Sequence, residues 1–189
     1  MPHRTQDAVK NAVRISVIAE MMLWDKPVER GLFGAFILKH GTVQHRQPFG
    51  AIENPLAQYS GSIHHVSQSY VMEHERRARY SEGFYVSTSV LQPTEHVWVN
   101  RNSSIVIDPN PHREDDGVYF GYTLDKELFK QVVNKETLGK KILTQDVILQ
   151  LDPSIMEFYQ DMQNDNRKSL YAKVKSAMRT IDNAGGFKL

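Results

Sequence analysis

Eight histidines and no cysteine limit the metal and nucleophile chemistry open to this chain. Without a thiolate there is no cysteine nucleophile and no cysteine-based zinc site, so a metal would need imidazoles together with carboxylates. His64 and His65 are adjacent, and on a helix they point to different faces. They therefore cannot chelate one ion in the way that i,i+4 histidines do. His45 and His74 are isolated, and His96 and His112 read as loop residues. Any zinc site would have to be gathered from distant members. The other stretch with a chemical claim is Gly83-Phe84-Tyr85-Val86-Ser87-Thr88-Ser89. It reads as a short buried strand, entered through a glycine and opening onto a polar loop, where a scaffold presents side chains to a ligand. Of the side chains it offers, Val86 has no lone pair and the neutral Thr88 hydroxyl is a poor zinc ligand.

The elements around that strand read as an α/β domain. Ala12–Ile15 alternates as a short strand, followed by a helix capped by Ser16 with Val17, Ile18, Met21 and Met22 on one face and a stop at Pro27. One continuous helix from Asp7 to Trp24 is the alternative. Leu32–Leu38 is nearly all apolar, as in a central strand. Lys39-His40-Gly41 reads as its turn and Thr42–Arg46 as the returning strand of a hairpin. Ser62 starts an amphipathic helix to about Tyr80, with Ile63, Val66, Tyr70 and Ala78 inward. Its run Glu73–Arg79 is a solvated face of i,i+3 and i,i+4 ion pairs, with RNA contact through Arg76, Arg77, Arg79 and Arg101 as the sharper reading. Strand signals return at Ser104–Asp108 and Gly117–Thr123, separated by the polar insert 109–116. Asp125 caps a helix over Lys126–Val133.

Beyond Gly139 the spacing is helical only. The organisation expected is a domain over 1–138 and a helical extension over 139–189. Asp152-Pro153 is a helix start, followed by Ile155, Phe158, Tyr159 and Met162 at helical spacing. Leu170, Val174, Met178 and Ile181 form a second stripe, and Gly185-Gly186 stops it. Two such stripes suggest helices that seek a partner, the alternative being that they fold back on their own domain.

Composition narrows the class. A chain of 189 residues holds one well-buried domain with some appended structure. A formal net charge of +1 creates no global field announcing nucleic acid or an anionic membrane. No run approaches the ~20 apolar residues that span a bilayer, and the first residues lack the apolar core of a signal peptide. The expectation is a soluble cytoplasmic protein.

In element order, and in the pieces Gly83-Phe84-Tyr85, Ile105-Val106-Ile107-Asp108-Pro109 and Gly117–Thr123, the chain resembles the MPN domains, the fold of the JAMM metalloproteases and their inactive relatives. The resemblance covers about Ala12 to Val133 and implies a mixed β-sheet sandwiched by helices. In that family a His-x-His pair, a later Asp and an upstream Glu hold a zinc-bound water and move its proton. Laid on this chain, those ligand positions fall on Val86, Thr88 and Val99, with Glu29 near the Glu position. The resemblance therefore implies a catalytically dead site with no metal and no cofactor. Gln92-Pro93-Thr94-Glu95-His96-Val97 is similar to a segment found in the inactive MPN branch of translation initiation factor three, and proteasome-lid and signalosome subunits are further relatives. The function this resemblance implies is that of a scaffold subunit in translation initiation. It would pair with another MPN-domain subunit, join helical-bundle subunits through its tail, meet the small ribosomal subunit indirectly and touch no membrane. A different class stands as the alternative. His40-Gly41-Thr42 with Phe84–Ser89 resembles pieces of ADP-ribosylating toxins, which would make the chain an NAD-using transferase. The plainer reading of His40-Gly41 is a turn.

Overall fold

The structure, a computed structural model, describes Val13 and residues 29–45, 54–87, 93–101, 105–110 and 117–165. The elements in chain order are α1 (Glu29–His40), β1 (Thr42–His45), α2 (Ile63–Glu73), β2 (Ala78–Val86), β3 (Pro93–Arg101), β4 (Ile105–Ile107), β5 (Val118–Thr123), α3 (Lys126–Val132) and α4 (Gln145–Leu151). Residues 155–165 form a last described helix, α5. The strands lie in the order β1-β5-β2-β3-β4, and each described pairing is antiparallel. The sheet curls, so that its edge strands β1 and β4 approach each other.

The protein is thus a mixed α and β fold, but with an antiparallel sheet where a mixed one was expected. Register sorts the sheet residues onto two faces. Tyr80, Phe84, Val86, Val97, Val99, Val118 and Phe120 share one core with residues of α1 to α5, the helices named above. Tyr85, Trp98, Val106 and Tyr119 form a second, smaller core on the opposite, inner side of the curl. The described helices gather on one face, giving a two-layer arrangement rather than a sheet sandwiched on both sides.

Leu32–Leu38 is not a strand. It lies within the twelve-residue helix α1, with Leu32 to Ile37 buried. A short apolar run suits a buried helix as well as a central strand, and periodicity alone does not separate the two. Its ends decide: Lys39 and His40 sit in the last turn, where cations suit the helix dipole, and the Gly41 N–H bonds the Ile37 carbonyl at 2.7 Å. The signal at Lys39-His40-Gly41 is a helix stop, and β1 pairs with β5 instead of turning back on a hairpin partner.

Ser62 caps α2 as expected, its Oγ accepting the His65 N–H at 3.2 Å. The helix ends at Glu73, however, and Ala78 and Tyr80 belong to β2. The Glu73–Arg79 run is therefore a turn followed by a strand start. Glu75 finds its cations on α3, at Lys126 (3.4 Å) and Lys130 (2.8 Å). Asp125 caps α3 as expected, through its Oδ1 to the Leu128 N–H at 2.8 Å. Val13 is helical and buried; the rest of 1–28, with both readings made there, lies outside the described residues.

Among the described residues, those beyond 138 pack onto the rest of the fold. Ile142, Leu143, Ile148, Ile155, Tyr159 and Met162 are buried in the same core as β2 and α1. α1 and α5 meet closely at Gly31, where an added Cβ would lie 2.9 Å from the Tyr159 hydroxyl.

Candidate functional site

The positions that align with metalloprotease ligands do not converge. Val86 pairs with Pro93 at one end of the β2–β3 ladder, while Val99 pairs with Tyr80 near the other. Six residues of strand separate them, about 20 Å at the usual rise. Both are buried valines, at 1% and 0% exposure. The backbone of Glu29 opens α1, and Thr88 lies outside the described residues. Among the described residues no group of three or more His, Cys, Asp or Glu is placed to hold a metal ion.

Two histidines missed as site candidates sit in built surroundings. His96 is not in a loop: it lies in β3, on the inner face of the curl. Its Nε2 meets Asp108 Oδ1 at 2.9 Å, and the Tyr119 hydroxyl donates to Asp108 Oδ2 at 2.6 Å. The Asn110 N–H reaches Asp108 Oδ1 at 2.7 Å. These bonds hold the Asp108 carboxyl below its ordinary range against the opposing effect of burial. The side chains of His96 and Asp108 are 3% and 0% exposed, so this dyad ties the 108–110 turn to the sheet and reaches no solvent. A polar network continues across the inner face. Trp98 Nε1 donates to Gln44 Oε1 at 2.6 Å, and Asn100 Nδ2 donates to the hydroxyls of Ser81 (2.8 Å) and Thr123 (2.9 Å).

The second cluster faces α2. The Tyr80 hydroxyl donates its one hydrogen to Glu82 Oε1 at 2.9 Å, so the 2.7 Å contact from His64 Nδ1 is a donated N–H. Nε2 of His64 is then the acceptor. Burial, then the nearby Lys141 charge, brings the His64 pKa down to about 4, so the ring is neutral at pH 7. Glu82 is fully buried and accepts the N–H groups of Ile142 (2.7 Å) and Leu143 (2.9 Å). Burial raises its pKa, and those amides and Lys141 oppose the rise. Lys141 Nζ bonds Glu95 at 3.0 Å and stands 3.5 Å over the Phe33 ring. The cleft between these groups has about 40 Å³ of room. That volume admits a water but not a small-molecule substrate, whose pockets start near ~300 Å³. The cluster is a latch between sheet, helix and the 139–143 loop.

The first tail stripe does not face outward. Ile155, Tyr159 and Met162 are buried, and Phe158 is half-buried with Lys39 Nζ 5.7 Å from its ring centre. Leu170, Val174, Met178 and Ile181 lie outside the described residues. His40, proposed for NAD chemistry, is held by Asp152 at 2.7 Å beside Lys39.

The open surface lies elsewhere. Between α2 and α3 runs an apolar groove of about 210 Å³, floored by Val71, Ala78, Leu124, Phe129 and Val133. Met72 stands at its lip, 52% exposed. A wider depression beside it is lined by Arg76, Arg77 and Arg101 together with Glu73 and Glu75. The sequence pattern singles out those arginines, but it does not place Arg101 of β3 beside the turn at the end of α2. Comparison with protein-family models, with curated proteins and with solved structures finds no match.

Proposed function

We propose that this chain is a non-catalytic assembly domain that binds other proteins. The observation that carries the reading is the groove between α2 and α3, an apolar trough with an exposed methionine at its lip and charged walls. Met72 is a flexible, polarisable side chain of the kind used at binding surfaces. The polar clusters support the same reading. Their groups bond one another, and they lie either behind closed packing or on a cleft with room for water alone.

No helix among the described residues is long and apolar enough to cross a membrane. The assembly proposed is cytoplasmic, and its narrow form is the inactive MPN subunit of translation initiation factor three, of the f or h type. Support for the narrow form is confined to β2, β4 and β5, which form where the resemblance expects strands. The helix at Leu32–Leu38 and the spread of the ligand positions along β2 and β3 weigh against it. The scaffold reading does not depend on it.

The test is co-purification of the full chain from cytosol, with Met72→Glu alongside. A defined set of subunits held by the wild type and lost from the variant supports assembly through this groove. Initiation-factor subunits in that set would support the narrow form, and lid or signalosome subunits would move it. A chain that recovers no stable partner and consumes NAD would overturn the assembly reading.

A further inference from the structure

The groove and the arginine depression are neighbours, and together they describe an occupant. Met72, Glu75 and Ala78 line both. Around the pair stand Arg76, Arg77, Arg79, Arg101, Lys126 and Lys130, against Glu73 and Glu75, with Glu127 close enough to act on Lys130. Glu75 is engaged by both lysines, while Glu73 accepts the neutral Tyr59 hydroxyl at 2.5 Å and keeps its negative charge, so the six cations stand against three acids. Arg79 gives its Nη1 to the Glu75 and Ala78 carbonyls, neutral acceptors that leave its positive charge in place. Arg76 and Arg77 are both exposed at the same turn.

Resting on the assembly reading, we infer that this surface docks a short acidic segment of a partner protein. An apolar side chain fills the groove beside Met72 and Phe129, and carboxylates face Arg76, Arg77 and Arg101. Guanidinium forks suit carboxylates in a bidentate manner, and the apolar trough next to them gives a peptide its anchor. The chain's own second stripe does not suit the place. Leu170, Val174, Met178 and Ile181 are interleaved with Lys168, Lys173, Lys175 and Arg179, the same sign as the walls. An RNA strand shares the taste for arginine. The groove floor, however, is mostly aliphatic, with Phe129 buried in it, where base stacking needs presented rings.

The experiment selects a random displayed 12-residue peptide library on the full-length protein, then measures the enriched peptides by fluorescence anisotropy. The expected winners place an apolar residue within one helical turn of at least two acids. Affinity should fall at least tenfold with Met72→Glu and again with Arg76→Glu/Arg77→Glu. Peptides whose acids are changed to lysine should recover binding to the double arginine variant. Both variants alter surface positions, and circular dichroism checks their fold. No enrichment, enrichment of peptides without acids, or insensitivity to Met72→Glu overturns the docking surface. So does an oligouridine strand that binds more tightly than any peptide and is lost only with the arginines, which marks an RNA surface. If peptides fail while the wild-type chain still co-purifies with subunits, the assembly reading stands and its surface lies elsewhere.

Discussion

Glu82 accepts the backbone N–H of Ile142 at 2.7 Å across 60 positions of sequence. With the neighbouring amide of Leu143 and the Tyr80 hydroxyl, this one carboxylate joins β2 to the loop that leads into α4 and α5. Gln68 of α2 makes a parallel tie, donating to the Lys140 carbonyl and accepting the Gly139 N–H, each at 2.7 Å. The segment expected as an extension is thereby latched to the sheet by buried polar bonds as well as by apolar contact.

Glu82→Leu would leave the two buried N–H groups of Ile142 and Leu143 without an acceptor, while the Tyr80 hydroxyl can turn to His64 Nδ1. Each orphan costs about 1–3 kcal/mol, so a loss of at least about 2 kcal/mol is expected, with Glu82→Gln losing less because its carbonyl still accepts. Urea unfolding at pH 7 measures both. Equal losses for the two variants would show that shape, not the acceptors, matters there.

Much of this arrangement was legible in the sequence, and the exceptions have definite causes. Ser62 and Asp125 announced their helices because a cap is a local bond between a side chain and the next turn. β2, β4 and β5 were visible through their β-branched and aromatic residues. β3 was not, because its inward positions are His96, Trp98 and Asn100, polar or half-polar groups whose partners Asp108, Gln44 and Ser81 come from other strands and turns. The α1 run was ambiguous by composition alone. The groove was illegible because its walls come from α2, β2 and α3, and no single segment carries its pattern.

Stability should depend on pH through His64. Its folded-state pKa is about 4 against an ordinary 6.5, so the unfolded chain takes up the proton first as pH falls. The contribution is complete above pH 6.5 and is lost between there and about 4. Going from pH 7 to 5 should remove about 2 kcal/mol. Glu82, with its pKa raised, acts oppositely: its part is full below the ordinary carboxylate value and declines as pH rises through the elevated one. Comparing His64→Gln with wild type at both pH values cancels the shared carboxylate effects. The variant should lose distinctly less stability on acidification, and identical slopes would remove His64 from the account.

The inner face of the curl depends on a missing pair of side chains. Gly83 and Gly121 oppose each other across β2 and β5. A Cβ on Gly121 would sit 2.4 Å from the Trp98 ring and from the Glu82 carbonyl, and one on Gly83 would sit 2.4 Å from the Gly121 Cα. Backbone cannot yield as a flexible side-chain tip can. Gly121→Ala and Gly83→Ala should each cost about 2–3 kcal/mol and perturb Trp98 fluorescence. An alanine accepted at either position without change would mean that the strands separate freely there.

The buried dyad on that face should show the cost of leaving several donors without their shared acceptor. Asp108→Ala removes the acceptor of Tyr119, of the Asn110 amide and of His96, and should cost about 3 kcal/mol or more, at about 1–3 kcal/mol for each buried group left unpaired. Tyr119→Phe removes one hydroxyl and should cost about 1 kcal/mol. Near-UV circular dichroism with denaturation separates a loosened inner face from global loss. A larger cost for Tyr119→Phe than for Asp108→Ala would place the weight on the tyrosine.

The last prediction decides whether α5 belongs to the domain. Ile155 is fully buried in the core with α1 and α4, while Phe158 is only half-buried. Ile155→Ala should lower the stability of the whole domain by about 2–4 kcal/mol in a single unfolding step, because its cavity opens inside the main core. Phe158→Asp should cost about 1 kcal/mol and leave the fold and the groove between α2 and α3 intact, since its ring packs at the edge beside Lys39. A separable early transition in Ile155→Ala, with the remainder of the curve unmoved, would return residues 155–165 to the status of an independent extension. It would also make Ile155, Tyr159 and Met162 available to a partner once that segment lifts away.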